Sequence, residues 1–435
     1  MRATLAALLF SCVSFFAFGQ QLVGPNGDDS VSLDYVRSLK LTGDRGASNA
    51  LGGGVLGRQS SGGLLGIDSV ANWSSYFYEP GVIDQFGDLQ FSWQYTMVGH
   101  APFGHGDSDD WEGESTFIGA PIIPVNVDLR NADGSPRTVN GQRLYFDATH
   151  LVKPVLQSPI FSPHPYTSSR WPTQFNDAVQ RAEFFNKSDD DWHTVLVPRV
   201  ATPRTMVLIK GTYLRVLDSN GLTVGVLVDP GVFASKLFPP NFNGNDTTSI
   251  IGQAETSHDI TTHDISTFLF PNTFLIAGGN FFIVGYHTYD LEAGGADNGW
   301  RERRYVLNYS SWVDDGFFGP AFTDVTALSH ELTETFNDPF VNNAVPWWLS
   351  PNGNCQNNLE TGDVIEGLPN ATIPITTHGF TYHPQNEALL QWFANQTPSA
   401  AINHAYSYPD TSVLTSGAAP QLPGCPAPST TASTK

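Results

Sequence analysis

His330 and Glu334, with Glu331 and Asp338 beside them, are the residues whose types and spacing invite chemistry. An imidazole and a carboxylate four positions apart lie one turn apart on a helix, so both can reach a single ion. One neutral histidine with two carboxylates is a harder, more anionic donor set than two histidines with one carboxylate. It lowers the Lewis acidity of a bound ion and weakens selection for zinc, which brings calcium or manganese into range. Two readings without catalysis use the same residues. One is a structural ion; the other is a metal-free solvated face on which His330 is incidental.

The element that must position these side chains is a helix over residues 324–339. Val325, Leu328, Leu332 and Phe336 recur at intervals of three, four and four and form one apolar stripe, with His330, Glu331, Glu334 and Asp338 opposite it. Thr323 or Asp324 can accept from the first free amides, and Pro339 disfavours helical geometry at Asp338 and stops the run. Strand-like runs at 267–270, 281–287 and 304–309 lead into this helix, the second of them ending on His287. Earlier runs lie at 89–95, 117–127, 144–146, 192–197, 206–209 and 223–228, and they suggest an antiparallel sheet or sandwich. Residues 173–185 read as a helix with Ala178, Val179, Ala182 and Phe185 inward. No glycine-rich phosphate loop follows a strand, which weighs against nucleotide binding.

The 435 residues suffice for two or three domains or one large one, and 41 Gly with 30 Pro favour turns and short strands over a helical bundle. An α+β chain with more strand than helix is expected. A net charge of −21 repels nucleic acid and anionic membrane surfaces, so neither is an expected partner. Residues 1–19 carry Arg2, an apolar run and a small-x-small ending at Ala17-Phe18-Gly19, the pattern of a secretory signal. No later stretch reaches the roughly 20 apolar residues a membrane span needs. The expected location is extracellular.

With Cys12 removed in the signal, Cys355 and Cys425 remain and in an oxidising compartment most simply pair. On the chain-entropy model, closing that loop of roughly 70 residues is worth about 4 kcal/mol. Residues 20–66 read as a flexible leader or pro-segment, 67–264 as a β-rich region, 265–417 as the region of the helix, and 418–435 as a Pro/Ser/Thr-rich tail. The loop at 99–114, with two histidines and five carboxylates, reads as a solvated acidic loop or a calcium site. Six Asn-x-Ser/Thr triplets, at Asn72, Asn186, Asn245, Asn308, Asn370 and Asn395, admit glycosylation. His378, His383 and His404 are further histidines with no pattern around them, and Trp347-Trp348 reads as packing or as a cleft wall.

His330-Glu331-Leu332-Thr333-Glu334 resembles the His-Glu-x-x-His helix of zinc proteases, with the thermolysin-like gluzincins nearest. Glu334 stands where that family has its second histidine. The match covers the helix and not the rest of the chain. The resemblance implies a zincin-like sheet and an active-site-type helix in the C-terminal half, following a β-rich N-terminal half. It implies metal ligands at His330 and Glu334, Glu331 as the base that polarises water, and a third ligand from the acidic segment beyond, Glu360 first and Asp363 in reserve. A second resemblance covers more context. Ser329 to Pro339, followed by Glu360-Thr361-Gly362-Asp363, is similar to secreted exordium-like, phosphate-induced proteins of plants and related microbial proteins, except that Cys355 precedes the acidic segment. That similarity implies secretion but no particular reaction.

These observations leave three readings. The first is a secreted metal-dependent hydrolase of peptidase type, with zinc as its ion, acting on an extracellular polypeptide. The second is a non-catalytic secreted or wall-associated protein with structural calcium or no metal. The third is a glycan-binding module using aromatic loops of the N-terminal half.

Overall fold

The computed structural model describes residues 22–25, 27–41, 66–83, 89–102, 115–240, 246–277, 281–319 and 322–418. The signal, most of the 99–114 loop, Asn245, Cys425 and the tail beyond 418 lie outside the described residues. Cys355 opens the strand Cys355–Asn358 and is half-buried.

The frame is an eight-stranded sheet. In chain order its main path contains β1 (Thr116–Arg130), β2 (Thr194–Val200), β3 (Ile265–Pro271), β4 (Gly285–Glu292) and β5 (Glu302–Trp312). They lie side by side in the order β2-β1-β3-β5-β4. Along this path three successive pairings are parallel and the last, β4–β5, is antiparallel, with His287 opposite Asn308. On one flank β1 changes partner: β2 follows it as far as Ile122, and the strand Arg204–Ile209 takes over from Val125. Pro124, which has no N–H for a ladder, sits at the change.

Two expectations are corrected here. The structure is 37% strand and 18% helix, with many sheets. It is therefore strand-rich throughout and does not divide into a β-rich N-terminal half and a C-terminal α+β half built on a zincin-like sheet with an active-site helix. The central sheet takes β1 and β2 from one side of residue 265 and β3, β4 and β5 from the other. Nor is the first half an antiparallel sandwich. Parallel strands covered on both faces read as unbroken apolar runs, and all seven residues of β3 are buried. In such a run there is no alternation from which to read the direction of a neighbour.

One face of the sheet packs on Phe233, Ile250, Ile251 and Ala254 from the helices Pro230–Leu237 and Ile250–Thr256. The other packs on Val325, Leu328, Leu332 and Phe336, the stripe anticipated for the helix, which spans Thr326–Asn337. A second helix, Phe175–Glu183, lies against it through Asn176 Nδ2, which donates to Thr333 Oγ1 at 2.7 Å. Its Ala178, Val179 and Ala182 are buried, whereas Phe185 beyond its end is exposed. A six-stranded sheet completes the main layers. Within the expected leader, Ser30–Ser32 pairs with Tyr213–Leu217 in that sheet and Val36 of the following short helix is fully buried.

The Thr326–Asn337 helix is buried all round, every residue included. Its start is not capped by a side chain: Val325 is the N-cap. The Asp324 carboxylate instead receives the Val325 amide, the His383 amide and the His383 ring, at 2.6, 2.9 and 2.8 Å. Asp338 ends the helix as expected, its carboxylate accepting from the amides of Asn342 and Asn343 at 2.9 and 3.0 Å. We expect Leu332→Ala to cost about 2–5 kcal/mol by denaturant unfolding, as for other fully buried leucines. Exposed Leu222→Ala should stay within about 0.5 kcal/mol. Equal effects from the two changes would refute the placement of the stripe.

Candidate metal centre

The polar side of the helix faces a chamber closed by β4 on one side and by residues 359–368 on the other. Along β4 the side chains alternate faces. Tyr289 packs in the same cluster as Leu332 and Phe336, so His287, two residues earlier, points the same way. His287 Nδ1 lies 3.4 Å from Glu334 Oε2, 3.8 Å from Glu360 Oε2 and 3.9 Å from Glu331 Oε2. His330 Nε2 lies 3.1 Å from Glu334 Oε2 and 3.7 Å from Asp363 Oδ1. None of these six side chains is more than 5% exposed.

Glu334 is the hub. Its Oε1 accepts the backbone amides of Gly362 and Asp363 at 2.9 and 3.3 Å, which ties the acidic segment to the helix. Its Oε2 is turned to both imidazoles and receives no hydrogen bond of good geometry. On the far side of His330, Gln385 Oε1 lies 3.3 Å from Nδ1, while Gln385 Nε2 donates to the Gly362 carbonyl at 2.7 Å. A proton held on Nδ1 by Gln385 is the outer-shell arrangement typical of metal-binding histidines, and it leaves Nε2, whose own proton faces Glu334, as the nitrogen that an ion would take by displacing that proton.

Two glycines make the chamber this tight. A Cβ on Gly362 would stand 2.5 Å from His330 Nδ1, and one on Gly285 would stand 2.4 Å from Glu331 Oε1. Both segments can approach the helix only because nothing projects there.

The electrostatics are set by burial. Burial alone would push the His330 ring down, but the charges of Glu334 and Glu331 overcome it and hold the ring well above its usual range. Burial likewise opposes ionisation of Glu334, yet His330 and His287 pull its carboxyl down to about 2. Glu387 is pushed well above the usual range and Asp338 up to about 6, both chiefly by burial. The charges acting most strongly on these four groups are one another's and those of His287, Glu331, Glu366 and Asp363, with no lysine or arginine among them. Burying carboxylates is costly unless a cation compensates them. His287, Glu331 and Glu334 form one set with metal-ligand spacing, and His330, Glu334 and Asp363 form another.

The structure thus brings all the sequence candidates together: His330, Glu334, Glu331, Glu360 and the reserve Asp363. Glu360 stands against His287, and Asp363 is the carboxylate beside His330. The residue that sequence reasoning did not place in the site is His287. Its one signal was its position in a strand leading into the helix, and because β4 is buried on both faces, alternation could not assign its direction. The other histidines go elsewhere: His378 and His404 are exposed and His383 is bound to Asp324. Trp348 is fully buried against Trp392 and Phe393, and Asn308 is fully buried and donates to Thr267, which excludes a glycan there. A cavity of about 180 Å³ edged by Tyr76, Tyr78, Tyr95 and Glu183 shares no residue with the chamber.

Gly362→Ala should force the His330 ring or the acidic segment to move and cost about 1–3 kcal/mol. Denaturant unfolding measures the loss, and the ring resonances of His330 should shift. An alanine variant as stable as the parent, with the ring unmoved, would contradict the packing described.

No protein-family model matches the chain, and comparison with curated proteins and with solved structures likewise found no match. The resemblance to zinc-protease and exordium-like helices rests on the residues of the helix and of the acidic segment alone.

Proposed function

We propose that this is a secreted, divalent-metal-dependent hydrolase of peptidase type, with its ion held on the Thr326–Asn337 helix. One observation carries the metal: Glu331, Glu334, Glu360 and Asp363 are buried around two imidazoles, with Glu334 Oε2 directed at both. A divalent cation balances charges that the fold otherwise buries at high cost. His330 and Glu334 bind it, with His287, Asp363 and Glu360 at hand. Calcium prefers oxygen ligands, so two imidazoles favour zinc or manganese. When bound, such an ion polarises a carbonyl and acidifies water. Glu331, next to His330 on the same turn, is the base that takes the proton. Gly285, having no side chain, leaves beside Glu331 Oε1 the space that a Cβ would fill.

A second reading, a structural ion in a non-catalytic extracellular or wall-associated protein, is favoured by the closure of the site. Glu334, Glu360 and Asp363 are at most 1% exposed, so substrate must enter through a movement of the covering segments. Elemental analysis of the purified protein, with a peptide-hydrolysis assay, separates the readings. The hydrolase binds zinc or manganese, loses it in His330→Ala, and in Glu331→Gln keeps the ion while losing at least about 100-fold in rate. A structural ion leaves no activity to lose. Its removal by chelator should lower the melting temperature by about 5 °C, if ligand binding contributes about 4 kcal/mol. Protein purified without any divalent ion, and indifferent to added metal, refutes both.

A further inference from the structure

We propose that the chamber is built for two divalent ions bridged by Glu334. The proposal rests on the metal reading above and deepens it. The two imidazoles do not belong to one set of ligand atoms. His287 Nδ1 groups with Glu331 and Glu334, His330 Nε2 groups with Glu334 and Asp363, and Glu334 is the only residue in both. The shared atom is Oε2, 3.4 Å from one ring nitrogen and 3.1 Å from the other. Those separations suit neighbouring ligands around ions with metal–donor distances of about 2.1 Å. A carboxylate oxygen between two such positions is a bridge.

Charge points the same way. With both rings neutral, Glu331, Glu334, Glu360 and Asp363 carry four negative charges, which two divalent ions balance and one does not. On either side of the bridge each imidazole has a further carboxylate, Glu360 beside His287 and Asp363 beside His330, which leaves Glu331 as the base. The backbone is arranged around the bridge. The Gly362 and Asp363 amides hold Glu334 Oε1 and so orient Oε2, while Gly362 and Gly285, lacking side chains, leave room for His330 and Glu331 on either side. This reading gives His287, which the helix motif does not require, a role equivalent to that of His330.

The test is manganese binding to chelator-stripped full-length protein, read as equivalents bound and as the electron paramagnetic resonance spectrum. We expect two equivalents with the spectrum of an exchange-coupled pair. His287→Ala and Asp363→Asn should each retain one uncoupled ion, and Glu334→Gln should lose the coupling. Circular dichroism verifies the fold of each variant, and the wild-type stoichiometry stands whether or not a variant folds. One equivalent in the wild type overturns the bridged pair and leaves the metal reading intact; none overturns both. Two uncoupled ions, one of them lost in Glu255→Gln and not in Asp363→Asn, would overturn the pair and place the second ion at the separate acidic group of Glu255, Asp290 and Glu292.

Discussion

A carboxylate charge buried in a protein interior must be answered where it stands, and Glu334 is where this structure meets that requirement. One oxygen is held by two backbone amides and the other faces two imidazoles, all without solvent. Electrostatic interactions are strong in such surroundings, and an unanswered charge there is correspondingly expensive. The placement of β4, of the Thr326–Asn337 helix and of residues 359–368 can be understood as the means of bringing those partners to one point.

Each of the three segments contributes in a different way. The helix supplies donors one turn apart and fixes them by packing its opposite side on the sheet. The strand supplies His287 from an edge position of the same sheet, with its direction fixed by the register with β5. The acidic segment has almost no regular structure and is instead laced down by specific bonds: its amides to Glu334, the Gly362 carbonyl to Gln385, and the Thr361 carbonyl to the Ala388 amide. Side chains on rigid elements are thereby closed over by a loop whose glycine lies flat on the His330 ring. Such a division suits a metal centre, where donor geometry must be stiff and access must be able to open.

The hydrolase and structural-ion readings draw on the same donors, and accessibility separates them. Burial strengthens the case for an ion because it raises the cost of uncompensated charge. The same burial demands movement before a polypeptide can reach Glu331. On either reading the candidate donors include more carboxylates than those of a two-histidine zinc protease, and His287 adds a second imidazole from outside the helix.

Much of the local structure was legible. The apolar stripe at intervals of three and four marked the helix, Pro339 marked its end, and each strand on the main path of the central sheet overlaps one of the apolar runs while extending beyond it. Local rules determine such features, because period and turn chemistry act over a few residues. What the sequence could not express was enclosure. His330, Glu331, Glu334 and Asp338 have the composition of a solvated face, and nothing local distinguishes that from a buried one. Strand direction was hidden likewise, because a strand covered on both faces loses the alternation that would orient it. The sequence by itself therefore determined the helix, its donors and the acidic segment that follows. Only the tertiary structure decided that these donors are shut away from water, that the sheet is largely parallel, and that His287 joins the site, because each depends on contacts between segments far apart in the chain.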